Sequence, residues 1–162
     1  MESSFEFRQK ITSDNAWIRD VAVKLWGSID IISKEHTYNI LRLPNFVGVH
    51  DGKPVGFIMY AKEGSVCEIV ALYAAHEKQG LGTALIEHVK VAAKKDGCSR
   101  LWLMTTNDNT MALRFYQKRG FVITAVRTGA IDEQRKIKPI PRFGNDGIPI
   151  RDEIELEFLL QK

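Results

Sequence analysis

The feature that most constrains the fold is a strand, a tight turn and a helix in succession at residues 66–85, VCEIVALYAAHEKQGLGTAL. Residues 66–74 form an apolar run typical of a buried strand, and the apolar positions that follow recur at helical spacing. Gly80 and Gly82 stand where the helix begins, so a ligand can approach the backbone closely. The amides of a helix's first turn and the positive end of its dipole attract an anion such as a pyrophosphate.

Three other interpretations of this segment compete with an anion site. A Walker loop needs a lysine directly before the Ser or Thr, and Thr83 follows a glycine instead. The dinucleotide-binding fingerprint needs a third glycine where this chain has Leu85. An ordinary strand–helix turn needs no ligand, and this segment alone favours phosphate binding only slightly over it.

Hydrophobic periodicity along the rest of the chain predicts one α/β domain spanning residues 1–162. The order β, α(α), β, β, β, α, β, α, β, β indicates a mixed sheet with helices on its faces. Residues 29–43 are ambiguous and are interpreted as a short helix followed by a loop. Residues 132–150 have no clear period, and a loop this long inside a small domain is more often functional than idle. Strands are predicted at residues 5–11, 46–49, 55–60, 66–74, 101–104, 121–126 and 152–160, and helices at 16–26, 79–96 and 109–119.

Composition and charge exclude several classes of protein. The 162 residues are 44% hydrophobic and 27% charged, as in ordinary globular domains. The 23 Lys and Arg against 20 Asp and Glu give a net charge of +3, too small and too scattered for a nucleic-acid partner. The chain shows neither a signal-peptide pattern nor an apolar stretch long enough for a membrane span, so we expect a cytoplasmic protein. Cys67 and Cys98 lack a CxxC partner and a His cluster, so neither a metal site nor a disulfide is expected.

Two motifs in the sequence resemble those of the GNAT family of N-acetyltransferases. Residues 79–84, QGLGTA, resemble the family's Q/R-x-x-G-x-G/A signature, and the strand before them lies at the usual distance. Residues 109–121 follow the pattern N-x-x-A-x-x-F-Y-x-x-x-G-F, which resembles the family's second motif. The two motifs together cover roughly a third of the chain. The closing residues 147–158, GIPIRDEIELEF, resemble a bacterial branch of the family.

The resemblance implies the GNAT fold, a mixed and largely antiparallel sheet of about seven strands with helices on both faces. In this fold the fourth and fifth strands, which correspond to residues 66–74 and 101–104, splay apart, and the pantetheine arm of acetyl-CoA enters the gap. The main chain of Leu72, Tyr73 and Ala74 would pair with pantetheine as an added strand pairs with a sheet edge. Ala74 is a mild departure, since many members carry valine there. Backbone amides of six residues would hold the pyrophosphate: Gln79, Gly80, Leu81, Gly82, Thr83 and Ala84.

The resemblance also implies roles for three side chains. Asn109 would hydrogen-bond the pantetheine arm; a plain N-cap is the alternative, and both roles can hold at once. Tyr116 would act as the general acid that protonates the leaving thiolate, and a core tyrosine is the alternative. Glu68 stands in the register of the base in the histone-acetylating branch, and burial on a sheet would raise its pKa into a useful range. An exposed strand glutamate, with a water relay to some other base, is the alternative at this position.

We therefore predict an N-acetyltransferase that moves an acetyl group directly from acetyl-CoA to the primary amine of a small molecule, in a ternary complex and without a metal. A protein N-terminus or a lysine is the alternative acceptor. A non-catalytic CoA-binding sensor is the alternative function. No covalent intermediate is expected, because Cys67 and Cys98 lack an activating neighbour and fit core positions better. The sequence leaves open whether the protein forms a homodimer.

Two charged segments have open interpretations. Glu153, Glu155 and Glu157 share one face of the final strand, which either attracts a cationic amine or, as is more common, faces solvent. The long loop is basic and either covers the site, contacts an anionic group or is simply solvated. Its cations are Arg135, Lys136, Lys138 and Arg142.

Overall fold

The protein is described by a computed structural model that covers residues 4–34, 36–75 and 80–161. The strands are β1 (Glu6–Arg8), β2 (Asp30–Ser33), β3 (His36–Asn39), β4 (Asn45–His50), β5 (Lys53–Glu63), β6 (Val66–Ala74), β7 (Arg100–Thr106), β8 (Val122–Arg127) and β9 (Glu153–Leu159). The helices are α1 (Asn15–Trp26), α2 (Leu81–Lys95), α3 (Thr110–Lys118) and α4 (Ala130–Gln134). The helices predicted at residues 16–26, 79–96 and 109–119 correspond to α1, α2 and α3. No helix in the described ranges is both long and apolar enough to cross a membrane.

Seven strands form one sheet in the order β1–β4–β5–β6–β7–β9–β8, and β2 and β3 form a separate antiparallel hairpin. The pairs β1–β4, β4–β5, β5–β6 and β8–β9 are antiparallel. The predicted mixed α/β fold with a largely antiparallel sheet of seven strands is therefore confirmed. The splay between the strands at residues 66–74 and 101–104 stays a prediction.

The described chain divides into two compact units, one within residues 1–101 and 160–162 and the other within residues 102–159. The first unit holds α1, α2 and strands β1 to β6, and the second holds α3, α4, β8 and β9. That residues 1–162 behave as a single domain stays a prediction.

Helices α1 and α2 cover opposite faces of the strands in the first unit. Successive residues of a strand point to opposite faces, so Phe57 and Gly56 of β5 face different helices. Phe57 is fully buried in one cluster with Ile18 of α1. Gly56 lies directly against Leu81, the first residue of α2. The expected helices on both faces are therefore present in this unit.

The prediction of a short helix and a loop at residues 29–43 is wrong where the chain forms the hairpin β2–β3, and a short 3-10 helix follows at Ile40–Arg42. Ile31 pairs with Tyr38, and Ser33 pairs with His36. Ile31 packs against the buried cluster that includes α1. A β-branched residue on a half-buried hairpin face favours the strand, and the tertiary contact settles what the local pattern left ambiguous.

The long loop of the second unit is more ordered than its sequence indicates. Its first residues belong to helix α4, so the prediction of an irregular segment at residues 132–150 is wrong at that end. The guanidinium of Arg135 donates to the carbonyl oxygens of Ile140, Pro141 and Ile150 at 2.7 to 3.2 Å. Arg135 thus links the start of the loop to its middle and its end, and its guanidinium is hydrogen-bonded within the second unit.

The glutamates of β9 also differ from the expectation of a solvated face. Glu153 and Glu155 are buried. Glu155 accepts hydrogen bonds from Thr124 at 3.0 Å and from the guanidinium of Arg127 at 3.1 Å, both on β8. A buried carboxylate needs such partners because it has lost its water. The predicted solvated face is therefore wrong for these two residues.

Candidate functional site

Helix α2 begins at a glycine in the left-handed region. Gly80 is its N-cap, with φ of 78°, a conformation that residues with side chains rarely adopt. The amide of Ala84 donates to the Gly80 carbonyl at 3.0 Å and starts the helical hydrogen-bond ladder. Leu81, Gly82 and Thr83 complete the first turn of a helix of 15 residues, whose dipole is positive at this end. Of the predicted pyrophosphate site, Gln79 lies outside the described residues.

The start of α2 is held against the sheet by two strand glycines that the sequence analysis did not single out. A Cβ added to Gly48 of β4 would lie 2.7 Å from Cδ1 of Leu81. A Cβ added to Gly56 of β5 would lie 2.9 Å from Cδ2 of Leu81 and 2.8 Å from the carbonyl oxygen of Tyr73. A side chain at Gly56 would collide with the Tyr73 backbone, and one at Gly48 would push Leu81 aside, so the two glycines permit this close approach. The signal was a Gly inside each of two predicted strands, which often marks such a contact.

Leu72, Tyr73 and Ala74 form the end of β6, directly before the turn that leads to α2. Their strand pairs with β5, where Leu72 lies opposite Ile58. The register shifts between Met59 and Tyr60 of β5, which leaves Val70 as an extra residue in β6. Such a β-bulge bends a strand and is frequent beside functional sites. Pairing of these three residues with pantetheine stays a prediction.

Glu68, on the same strand, is buried and only 5% exposed, which excludes the alternative of an exposed strand glutamate. Its Oε2 accepts a hydrogen bond from the hydroxyl of Ser33 on β2. Tyr38 of β3 also interacts electrostatically with the carboxyl. Burial raises the pKa of Glu68 above its usual value, opposed by the hydrogen bond from Ser33 and the positive charges of His36 and Lys34. The Glu68 carboxyl is thus held in place by a hydrogen bond, and its raised pKa makes its carboxylate a stronger base.

In the second unit, helix α3 carries both predicted side chains. Asn109 is its N-cap, and its Oδ1 accepts from the amide of Ala112 at 3.2 Å. The plain capping role is therefore confirmed, and the contact with pantetheine stays a prediction. Tyr116 is buried, and its ring packs edge-on against Phe115 and Phe121 at centroid distances of 5.2 and 5.4 Å. Burial raises the pKa of Tyr116 well above its usual value.

The turn before α3 is tied to the long loop through residues that the sequence analysis missed. Asp108 is buried, and its Oδ2 accepts from the backbone and side-chain nitrogens of Asn145, each at 3.1 Å. Asn107 Oδ1 accepts from the amides of Arg151 and Asp152, each at 3.0 Å. These bonds fix the segment that ends at Asn109. The signal was an Asn-Asp-Asn run at a strand–helix junction, which favours local side-chain hydrogen bonds.

Both cysteines are free and buried. Burial raises the pKa of Cys67 to about 12, which leaves its thiol protonated and unreactive at neutral pH. This agrees with the expectation of core thiols. Among residues 4–34, 36–75 and 80–161, no group of three or more His, Cys, Asp or Glu is arranged to hold a metal ion.

Comparison with known proteins gives concordant matches. Residues 15–121 match the family model described as acetyltransferase (GNAT). The Bacillus subtilis (strain 168) protein YdhI is 40% identical over 139 residues, covering 85% of this chain and 87% of that protein. The ribosomal protein bS18-alanine N-acetyltransferase of Escherichia coli (strain K12) is 30% identical over 88 residues, covering 53% of this chain and 60% of that protein. The crystal structure of a GNAT family acetyltransferase from Elizabethkingia anophelis with acetyl-CoA bound superposes with a TM-score of 0.72 at 22% identity, covering 96% of this chain and 98% of that one.

Proposed function

Because this chain belongs to the GNAT family of acetyl-CoA-dependent N-acetyltransferases, we propose that it acetylates the primary amine of a small molecule. The acetyl group passes directly from the thioester to the amine in a ternary complex. The observation that carries this proposal is Glu68, a buried and hydrogen-bonded carboxyl on the strand that ends at Leu72, Tyr73 and Ala74. Four residues of strand span about 13 Å, so one strand can serve both the donor and the acceptor.

The donor half of the proposed site is the end of β6 and the start of α2. The main chain of residues 72–74 pairs with pantetheine, and the amides of residues 79–84 hold the pyrophosphate. The anchoring of Leu81 against Gly48 and Gly56 supports this, because a helix start that is held in place before the ligand arrives loses little entropy on binding. Asn109 uses its Oδ1 for the cap, and the nitrogen of the same amide remains able to donate to pantetheine.

The acceptor must lose a proton before it can attack. At pH 7 only about one lysine-like amine in a thousand is neutral, given a pKa near 10.4. Glu68 is proposed as the base that accepts this proton. Its raised pKa supports the role, because a carboxylate with a higher pKa is a stronger base.

The neutral nitrogen then attacks the thioester carbonyl carbon, and the C–N bond forms. A main-chain amide of β6 near Leu72 is proposed to stabilise the oxyanion. As the C–S bond breaks, Tyr116 donates its hydroxyl proton to the leaving sulfur, which gives free coenzyme A. Burial keeps the phenol of Tyr116 protonated at neutral pH, which is one condition that a general acid must meet.

A slim primary amine is favoured as the acceptor because Glu68 is buried and hydrogen-bonded to Ser33 of the hairpin β2–β3. A folded protein segment would have to displace that hairpin. The second candidate is a protein N-terminus, because the relative from Escherichia coli is named for the alanine of a ribosomal protein.

Release of coenzyme A thiol from acetyl-CoA, measured across a panel of small amines, aminoglycoside-type antibiotics and peptides, tests the proposal. We expect turnover with one or more small amines and little with peptides. Turnover confined to peptides would favour the second candidate. Binding of CoA without any turnover would favour a non-catalytic sensor.

The Glu68→Gln variant tests the base. We expect a loss of turnover of about a hundredfold with acetyl-CoA affinity maintained. The wild-type rate should fall as the pH drops through the raised pKa of Glu68, because only the carboxylate accepts a proton. The variant should lack this acidic limb, and a pH profile identical to that of the wild type would remove Glu68 from the mechanism.

A further inference from the structure

The hairpin β2–β3 places two hydroxyl groups over Glu68. Its antiparallel register pairs Ser33 with His36 and Ile31 with Tyr38, so these four side chains share one face. Ile31 packs against the buried cluster that includes α1, which turns this face toward the core. Ser33 donates its hydroxyl hydrogen to Glu68 Oε2. Tyr38 lies on the same face of the hairpin, and its hydroxyl interacts electrostatically with the same carboxyl.

The two hydroxyl groups differ in their access to the outside. Ser33 is 4% exposed and Glu68 is 5% exposed, whereas Tyr38 is half-buried. The ring of Tyr38 stacks on the imidazole of His36 at a centroid distance of 5.5 Å and an angle of 28°. The stack holds the ring in place, and the half-buried Tyr38 lies between the enclosed Glu68 carboxyl and the more exposed side of the hairpin.

We propose that Tyr38 is a further catalytic residue, whose hydroxyl carries the proton of the acceptor ammonium to Glu68 while Ser33 positions the carboxylate. This inference rests on the proposed function, in which Glu68 is the base. It identifies a route by which the enclosed Glu68 can take a proton from an amine held on the more exposed side of the hairpin.

The proton transfer balances without any further reactant. The ammonium N–H breaks as its proton passes to the oxygen of Tyr38, and the hydroxyl proton of Tyr38 passes to the Glu68 carboxylate. The products are a neutral amine, an unchanged phenol and a protonated Glu68. After the acetylated product leaves, Glu68 returns the proton to water through the same hydroxyl.

The electrostatic surroundings suit a relay better than a second base. Burial, followed by the negative charges of Glu68 and Glu63, raises the pKa of Tyr38. Its hydroxyl therefore keeps a proton at neutral pH and passes protons on without ionising. The other titratable groups that influence this pair are Lys34 at the hairpin turn, His36 on β3, Glu63 on β5 and Cys67 on β6.

The Tyr38→Phe variant tests the relay, because it keeps the ring and its stack and removes only the hydroxyl. We expect kcat to fall at least about tenfold with acetyl-CoA affinity within about twofold of the wild type. The dependence of kcat on the D₂O fraction should be curved in the wild type, where two protons move together, and linear in the variant. The matched control is Tyr60→Phe, since Tyr60 is buried in β5 and stacks with Phe46. That control should retain the wild-type rate and the curved dependence.

Ser33→Ala provides a second test with a readout that a loss of folding would not mimic. Because the bond from Ser33 lowers the pKa of Glu68, its removal should move the acidic limb of kcat/KM to higher pH. Direct titration of the Glu68 carboxyl by carbon-13 NMR should show the same upward shift of its pKa in Ser33→Ala and in Tyr38→Phe.

An unchanged Glu68 titration in Tyr38→Phe, or wild-type kcat with a curved D₂O dependence in that variant, would overturn the inference. A wild type that turns over no amine would instead overturn the proposed function, and the NMR titration would still decide whether Tyr38 is coupled to Glu68.

Discussion

Helices α2 and α3 begin in opposite ways. Helix α2 starts at Gly80, which has no side chain to cap it, and its first residue Leu81 is locked against strand glycines. Helix α3 starts at Asn109, whose own amide oxygen caps the first turn. The Asn109 side chain occupies one of the free amides at the start of α3, whereas no side chain caps the start of α2. This difference supports the proposed binding of the diphosphate at the start of α2.

The largest expected effect separates chemistry from binding. Tyr116→Phe on α3 should lower kcat by about a hundredfold, because the leaving thiolate loses its proton donor. Acetyl-CoA affinity, measured by calorimetry, should stay within about twofold of the wild type. Unchanged kcat would return Tyr116 to the role of a core tyrosine beside Phe115 and Phe121.

A new charge at the start of α2 should weaken binding without weakening the helix. Thr83→Asp places a carboxylate in the first turn, where it stabilises the dipole but repels a diphosphate. We expect KM for acetyl-CoA to rise by about tenfold or more. Thr110→Asp, in the first turn of α3, is the matched control and should leave that KM nearly unchanged. Equal effects of the two variants would contradict the assignment of the ligand to α2.

The close approach of α2 to the sheet should depend on Gly56 more than on Gly48. In Gly56→Ala the new methyl group meets the Tyr73 carbonyl at 2.8 Å, and that backbone oxygen cannot easily move. In Gly48→Ala it meets the end of the flexible Leu81 side chain. We expect urea unfolding to show a loss of about 2 kcal/mol for Gly56→Ala, a smaller loss for Gly48→Ala, and a severalfold higher KM for acetyl-CoA in the former. Equal losses for both would show that Tyr73 is not the obstacle.

The smallest expected effect tests whether Asn109 has one role or two. Asn109→Ala removes the cap and should lower the free energy of unfolding by about 1 kcal/mol. Asn109→Asp keeps a capping oxygen and should keep the stability of the wild type. Both variants lack the amide nitrogen, so both should raise KM for acetyl-CoA severalfold if it binds pantetheine. Wild-type KM in Asn109→Asp would limit Asn109 to its cap.

The hairpin β2–β3 shows where inference from local pattern fails. Residues 29–43 contain apolar residues at no clean period, and the prediction there was a helix and a loop. In the two-stranded form Ile31 packs against the cluster that includes α1, and Ser33 donates a hydrogen bond to Glu68. None of these contacts is local in sequence, so no local pattern encodes them.

Neighbouring residues were enough to predict the strand β6, the start of helix α2 near Gly80 and the N-cap at Asn109. Backbone preferences and hydrophobic period act over a few residues, so they can be read directly from the order of the side chains. Only the tertiary structure decided that Glu68 is buried, that Glu155 is paired with Arg127, and that Leu81 packs against Gly48 and Gly56. Burial and pairing depend on which distant segments meet, and that meeting is set by the packing of the whole chain rather than by any one stretch of it.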